Sequence, residues 1–194
     1  MGIEPIKRYG VKEQPVAADE LDLKLQELDL CGYTVLHSGF SEAVLSDLRE
    51  RLERFLSEQE IRFGGHEALK RMNEADTLRA PLIWDEAFLN VAVQAQLIEL
   101  CRRALGDYFI INQQNGVRNP PVSRGHHQTS YHRDLPYQHF VSSRPLALNA
   151  LLCLDPFTTE NGAFRVLPGS HKIDYVPDDR VVLALQVAAN VPAE

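Results

Sequence analysis

Apolar residues recur at helical spacing through the first half of the chain. Leu21, Leu25 and Leu28 predict an amphipathic helix over residues 18–30, because positions three or four apart share one face of a helix. Residues 1–17, which contain two prolines and two glycines, are predicted to form an irregular arm.

Two further helices are predicted from capping signals and apolar stripes. Ser41 can accept hydrogen bonds from the free N–H groups at a helix start, and an apolar stripe follows it at Val44, Leu45, Leu48, Leu52 and Phe55. Asp85 is a second N-cap, and Gly106 suits a helix end, so a third helix is predicted over residues 86–105. The polar residues 60–80 predict a loop between these helices.

The pattern becomes extended in the second half of the chain. Short apolar runs predict strands at residues 33–36, 108–111, 147–154 and 163–167, and residues 130–134 are predicted to be extended chain. Residues 115–128 are rich in Gly, Pro, Asn and His and predict a loop. Helices followed by strands are typical of α+β proteins, in which helices pack outside a sheet or a rolled sheet. We therefore expect one domain over residues 1–194, mostly helical over 18–106 and built of strands over 107–194.

Composition and charge narrow the class of protein. The 194 residues are 44% hydrophobic and 24% charged, which is typical of a soluble globular domain. A net charge of -7 argues against a general nucleic-acid binder, since phosphate contacts need a basic face. The chain has no apolar run long enough for a membrane span. Cys31, Cys101 and Cys153 are far apart and are predicted to be buried free thiols, which fits a reducing, cytoplasmic location.

Residues 130–137, Ser-Tyr-His-Arg-Asp-Leu-Pro-Tyr, contain a His-x-Asp motif at His132 and Asp134. One such motif is a weak signal by itself. In extended chain, residues two apart point to the same side, so an imidazole nitrogen and a carboxylate oxygen can share one cation. With a second histidine from a distant strand they would form the 2-His-1-carboxylate triad of non-haem Fe(II) oxygenases, which leaves one face of the metal open.

The segments that follow the motif make it more specific. An apolar run over residues 147–154 precedes Glu160-Asn161-Gly162-Ala163, and Leu167-Pro168-Gly169-Ser170-His171-Lys172 comes next. In this order and spacing, and together with His132-x-Asp134, these segments resemble the phytanoyl-CoA dioxygenase family.

The resemblance implies a fold, a reaction and site residues. The fold is a double-stranded β-helix, a cupin-like jelly-roll with a mainly β core, flanked by N-terminal helices. The activity is that of an Fe(II)- and 2-oxoglutarate-dependent dioxygenase that uses dioxygen to hydroxylate a small metabolite. His132 and Asp134 would be the proximal iron ligands. Asn149, expected on an inward-facing strand, would contact 2-oxoglutarate, with hydrogen bonding to neighbouring backbone as the alternative role.

The family pattern also requires a second histidine ligand and an arginine that binds the far carboxylate of 2-oxoglutarate. After His171 the sequence contains no histidine, and its single arginine there is Arg180, beside two aspartates. We therefore expect a jelly-roll that is incomplete at its C-terminal end, as in a fragment of a longer enzyme. The alternatives are a naturally shortened, inactive relative and a site that another histidine completes.

The remaining histidines and basic residues have less specific predicted roles. His171 is expected to be a structural loop residue, although it is the obvious substitute ligand, and His139 is within reach of a substrate. Exposed positions are predicted for His126, His127, His37 and His66. Basic groups that could hold an acidic co-substrate are Lys70, Arg79, Arg118, Arg124 and Arg144, and the sequence selects none of them. Tyr131 and Tyr137 are expected to pack in the core.

Two other functions stay open. A jelly-roll that lacks its closing strand has an exposed sheet edge, which suits a non-enzymatic module that binds a ligand or a partner, including a second copy in a homodimer. The His-x-Asp motif also suits a metal-dependent isomerase or a cupin-like metal binder that does not use 2-oxoglutarate.

Overall fold

The computed structural model describes residues 9–10, 16–119, 130–134, 141–158 and 160–188. These residues contain six α-helices, α1 (Glu20–Cys31), α2 (Glu42–Arg62), α3 (His66–Arg71), α4 (Glu86–Ala92), α5 (Ala95–Leu105) and α6 (Asp179–Leu185). They contain four short strands, β1 (Thr77–Arg79), β2 (Asn115–Val117), β3 (Arg165–Val166) and β4 (Val187–Ala188). Turns of 3-10 helix lie at Pro81–Ile83 and Ser170–Lys172.

Helix starts and ends follow the local capping chemistry. The Ser41 and Asp85 side chains accept hydrogen bonds from the first turns of α2 and α4, which confirms both predicted caps. Asp19 does the same for α1. Gly32 ends α1 with φ of 83°, a left-handed conformation that glycine adopts without steric cost.

Two predicted boundaries are wrong. The helix predicted over residues 86–105 is interrupted, because the Gln94 side chain accepts a hydrogen bond from the first turn of α5 and so starts a new helix. The loop predicted over residues 60–80 contains the end of α2, all of α3 and strand β1. Leu69 and Leu78 in this segment are buried, so the burial of a few apolar side chains outweighs the polar composition around them.

The hydrophobic core is centred on α2 and β1. Its buried members are Leu48, Leu52, Phe55, Leu56, Leu78 and Phe88. β1 pairs antiparallel with β2, with Leu78 opposite Gly116. A Cβ atom at Gly116 would overlap the Leu52 side chain, so β2 lies this close to α2 only because residue 116 has no side chain.

The second half of the chain has few strand ladders among the described residues. β3 and β4 pair antiparallel, and the predicted strands at 33–36, 108–111 and 147–154 and the extended chain predicted at 130–134 form no ladder. A strand requires a hydrogen-bonded neighbour, and these segments have none within the described part of the chain. The predicted class, α+β, agrees with these residues. The expected mainly β core does not, because most of the buried cluster lies on helices, and α6 lies in the range 107–194 that was predicted to be built of strands.

Burial is equally uneven along the chain. Among the described residues, eleven apolar side chains are buried, and nine of them lie between positions 45 and 100. Cys31, Cys101 and Cys153 are free, as predicted, but only partly buried, and burial raises the pKa of the Cys101 and Cys153 thiols. In the described ranges, no helix combines the length and apolar character needed to cross a membrane.

Candidate metal centre

His132 and Asp134 face each other in the described segment 130–134. His132 Nε2 lies 3.5 Å from Asp134 Oδ1. On the other side of the ring, Nδ1 lies 2.7 Å from the backbone oxygen of Ser130. A carbonyl oxygen only accepts, so Nδ1 carries a proton and, in the neutral imidazole, the Nε2 lone pair points toward Asp134. This is the tautomer that a metal ligand needs, oriented by a second hydrogen bond.

Asn149 lies next to the same pair. Its Nδ2 donates a hydrogen bond of 2.5 Å to Asp134 Oδ2, while Asp134 Oδ1 faces His132. The Asn149 side chain is therefore hydrogen-bonded to a carboxylate. The alternative role, hydrogen bonding to neighbouring backbone, is not what these contacts show. The expected burial on an inward-facing strand is wrong, because Asn149 is exposed and lies outside any strand in the described chain. Asp134 Oδ2 accepts a hydrogen bond from its amide, and an exposed side chain needs no further buried partner.

The pair is open to solvent and offers two metal-ligand atoms, one imidazole nitrogen and one carboxylate oxygen. The His132 and Asp134 side chains are 46% and 62% exposed. Among the described residues, no other His, Cys, Asp or Glu joins them in a group of three that could hold one ion. His171 makes its contacts elsewhere. Its Nε2 lies 3.0 Å from the backbone oxygen of Asp29, and its Nδ1 packs against Gly32. This agrees with the structural role predicted for His171.

Several predicted neighbours of the pair lie outside the described residues, namely His126, His127, His139, Tyr137 and Arg124. Tyr131 is described and differs from the prediction of core packing. It is 49% exposed, and its hydroxyl donates a hydrogen bond to Gln186 Oε1. Gln186 directly precedes β4, so this contact links the His-x-Asp segment to the β3–β4 sheet.

A second cluster with metal-ligand chemistry lies in the helical part of the fold. Glu60, His66 and Asp76 place one donor atom each within 4.8 Å of one another. His66 Nδ1 lies 3.2 Å from Glu60 Oε1, and Nε2 lies 3.9 Å from Asp76 Oδ2. His66 is half-buried here, so its predicted surface position is corrected. No spacing in the sequence indicates this cluster, because its members come from α2, α3 and the turn before β1.

Arg118 occupies the place that a cation would take in this cluster. Its Nη2 lies 2.6 Å from Asp76 Oδ1 and 3.2 Å from Glu60 Oε1, and its Nη1 lies 3.0 Å from Glu53 Oε2. Burial opposes the charge, but the hydrogen bonds from Arg118 to Asp76 and Glu53 outweigh it and raise the pKa of the guanidinium. The group is therefore a closed ion-pair cluster.

The same contacts reduce the set of basic groups that could hold an acidic co-substrate. Arg118 is committed to its cluster, and Arg79 is paired with Glu74 at 2.7 Å. Lys70 and Arg144 are exposed. Within the described residues, these two side chains stay the better candidates for a carboxylate ligand.

Comparison with known proteins assigns the class. The family model described as phytanoyl-CoA dioxygenase (PhyH) matches residues 28–190, which is most of the chain. The chain belongs to the phytanoyl-CoA dioxygenase family.

Individual relatives agree with this assignment. Two uncharacterized proteins, from Mycobacterium bovis and Mycobacterium tuberculosis, are each 31% identical over 162 residues, which is 81% of this chain and 58% of theirs. The iron/alpha-ketoglutarate-dependent dioxygenase ausO of Aspergillus calidoustus is 29% identical over 100 residues, 50% of this chain and 33% of ausO. The chain thus spans little more than half the length of its mycobacterial relatives. No solved structure matches the chain significantly.

Proposed function

We propose that the protein is an Fe(II)- and 2-oxoglutarate-dependent dioxygenase acting on a small molecule, with His132 and Asp134 as two of the iron ligands. The observation that carries this proposal is the pair itself, with His132 Nε2 3.5 Å from Asp134 Oδ1 and Nδ1 fixed by the Ser130 carbonyl. Family membership and the similarity to ausO, an iron/alpha-ketoglutarate-dependent dioxygenase, support the choice of iron and 2-oxoglutarate.

The two ligand atoms of the pair are of the kinds that non-haem iron binds. One imidazole nitrogen and one carboxylate oxygen on the same side are two members of a 2-His-1-carboxylate triad, and they leave room for further ligands. Bound iron would supply the activation of dioxygen and the oxidative decarboxylation of 2-oxoglutarate. The chain's own residues orient the ligands: the Ser130 carbonyl fixes the imidazole tautomer, and Asn149 holds Asp134 Oδ2 so that Oδ1 faces His132.

Asn149 has a proposed second role toward 2-oxoglutarate. One amide hydrogen binds Asp134, so the other hydrogen and the carbonyl oxygen can serve a ligand at the metal. The third iron ligand and the arginine clamp are proposed to come from polypeptide outside the described residues. The same proposal includes a closed jelly-roll around the site, a small-molecule substrate, dioxygen as co-substrate and a cytoplasmic location.

One further observation favours a second candidate function, a partner-binding module. In the described second half, many large apolar side chains are exposed, among them Ile110 at 71%, Leu151 at 58% and Leu183 at 67%. β3 and β4 form a sheet of two strands whose outer edges are unpaired among the described residues. Such edges accept an additional strand, so a second copy in a homodimer or another partner would cover them.

The two functions are separated by an anaerobic calorimetric titration with Fe(II), with and without 2-oxoglutarate. We expect binding in the wild type, enhancement by 2-oxoglutarate, and loss of binding in His132→Ala. His66→Ala is the matched control, because it removes a histidine from the ion-pair cluster and leaves the proposed site intact. Binding that survives His132→Ala, or that is lost in His66→Ala, would refute the proposed site. Binding without any effect of 2-oxoglutarate would favour a metal site with different chemistry.

A further inference from the structure

Arg133, between the two proposed ligands, points away from them into the fold. Extended backbone alternates its side chains, and Arg133 is half-buried while His132 and Asp134 are exposed. Its Nη2 donates a hydrogen bond of 2.9 Å to the backbone oxygen of Ser170 and a second one to the backbone oxygen of Ile173. The guanidinium thus ties the His-x-Asp segment to a turn almost forty residues further along the chain.

That turn, residues 168–172, is itself fixed to the end of α1. Gly169 N donates to the Cys31 oxygen at 2.8 Å, and Lys172 Nζ lies 2.5 Å from Asp29 Oδ1. His171, within the turn, adds the contact between its Nε2 and the backbone oxygen of Asp29 in α1. The turn is therefore held from one side by a helix terminus and holds Arg133 on its other side.

We propose that Arg133 is a positioning residue, which holds the His132–Asp134 pair in the geometry that binds metal by anchoring it to the 168–172 turn. The role rests on the proposed function, since it assigns Arg133 to the same metal site. Arginine suits it, because the two hydrogens of Nη2 are held in the guanidinium plane and serve two carbonyl groups in a fixed geometry, whereas a lysine ammonium is a freely rotating donor on a flexible stem. Arg133 itself has no contact with the metal in this proposal.

The first test is the affinity for Fe(II), measured anaerobically with the full chain. Loss of a group that orients metal ligands typically lowers metal affinity by about 10–100-fold, and we expect a loss of this size in Arg133→Ala. Arg133→Lys should recover part of the affinity, because it restores a nitrogen donor but not the fixed planar geometry of Nη2. Arg102→Ala is the matched control, since Arg102 is an exposed arginine on α5 that pairs with Glu99, and its affinity should equal that of the wild type.

The second test needs no metal. Hydrogen exchange should become faster in Arg133→Ala at the backbone amides of Lys172 and Ile173, which donate to the Gly169 and Ser170 carbonyl groups, whereas α2 should be unchanged. Lys172→Ala weakens the same connection from the α1 side without touching the pair. It should also lower Fe(II) affinity, and its effect combined with Arg133→Ala should be less than the sum of the two, as for residues that act in one chain of contacts.

The outcomes separate this inference from the proposed function. If the wild type binds Fe(II) through His132 and Arg133→Ala binds it equally well, the positioning role is wrong and the proposed function stands. If wild-type binding does not depend on His132, the proposed function fails. The exchange data then decide whether Arg133 holds the segment: faster exchange in Arg133→Ala supports the anchor, and unchanged exchange overturns it.

Discussion

The ion-pair cluster around Arg118 offers a quantitative test of the fold. Arg118→Ala removes the guanidinium that binds Asp76 through Nε at 2.8 Å and Nη2 at 2.6 Å. The Arg118 backbone N–H also donates a hydrogen bond of 2.9 Å to the backbone carbonyl oxygen of Asp76, and the substitution leaves this bond in place. The variant therefore isolates the charge contact while the end of the β1–β2 sheet stays paired.

The expected cost follows from the burial of Asp76. Its side chain is 7% exposed, and breaking a buried ion pair by removing one partner costs about 3–5 kcal/mol, because the remaining charge is left uncompensated. One feature reduces this value here. Arg118 is 35% exposed, so water screens the pair. We expect a loss of about 2–3 kcal/mol.

The assay is urea unfolding of the wild type and four variants: Arg118→Ala, Asp76→Asn, the double variant and the control Arg102→Ala. The free energy of unfolding by linear extrapolation gives the cost of Arg118→Ala, with an unchanged slope as evidence that the folded state is intact. Asp76→Asn is the partner variant, because Asp76 has φ of 59° and asparagine adopts this left-handed conformation readily. In the Asp76→Asn background, Arg118→Ala should cost only about 1 kcal/mol, since no buried charge is left behind.

Arg102→Ala serves as the control for loss of an exposed arginine. Its pair with Glu99 is a surface contact, and such pairs contribute about 0–1 kcal/mol. A cost of Arg118→Ala no larger than that of Arg102→Ala, or an equal cost in both Asp76 backgrounds, would refute the view that Arg118 stabilises a buried carboxylate. Fe(II)-dependent stabilisation lost in His66→Ala would point instead to a metal in this cluster.

Two further predictions concern other parts of the fold. Gly116→Ala should lower the free energy of unfolding by about 1–3 kcal/mol, because the added Cβ overlaps Leu52, and a loss below about 0.5 kcal/mol would contradict this packing. Hydrogen bonds from Arg103 lower the pKa of Asp19 to about 2 from 3.8. The stabilisation from the Asp19 carboxylate is therefore complete above pH 3.8 and is lost as the pH falls through 2. In Arg103→Ala, an NMR titration should show the pKa of the Asp19 carboxyl moving toward its ordinary value.

The two longest helices, α1 and α2, were predictable from the sequence, and so was the position of β3, whereas α3, α6 and the pairing of the strands were not. Helix limits depend on local signals, such as the Ser41 side chain at the start of α2 and Gly32 at the end of α1, and both are visible in the sequence. Strand pairing is non-local. β1 and β2 join residues 77–79 to 115–117, which are not apolar runs and were predicted as loops, whereas the run at 147–154 forms no ladder among the described residues.

The candidate site shows the same division. The His132–Asp134 contact follows from two-residue alternation and was predictable, and so was the structural role of His171. The contact between Asn149 and Asp134 Oδ2 was not, because it depends on how two segments fifteen residues apart meet. The Arg118 cluster gives no local signal at all, since four separate elements contribute to it.

The uneven distribution of the core bears on the order in which the protein folds during synthesis. The six residues of the central cluster lie between Leu48 and Phe88, and the strand that completes the first sheet ends at Val117. All of these residues leave the ribosome before His132. Chains are made from the N-terminus, so the residues of this cluster can come together before the His-x-Asp segment emerges. The proposed iron site would be completed later still, because Asn149 and the 168–172 turn, which hold the pair, are made after it.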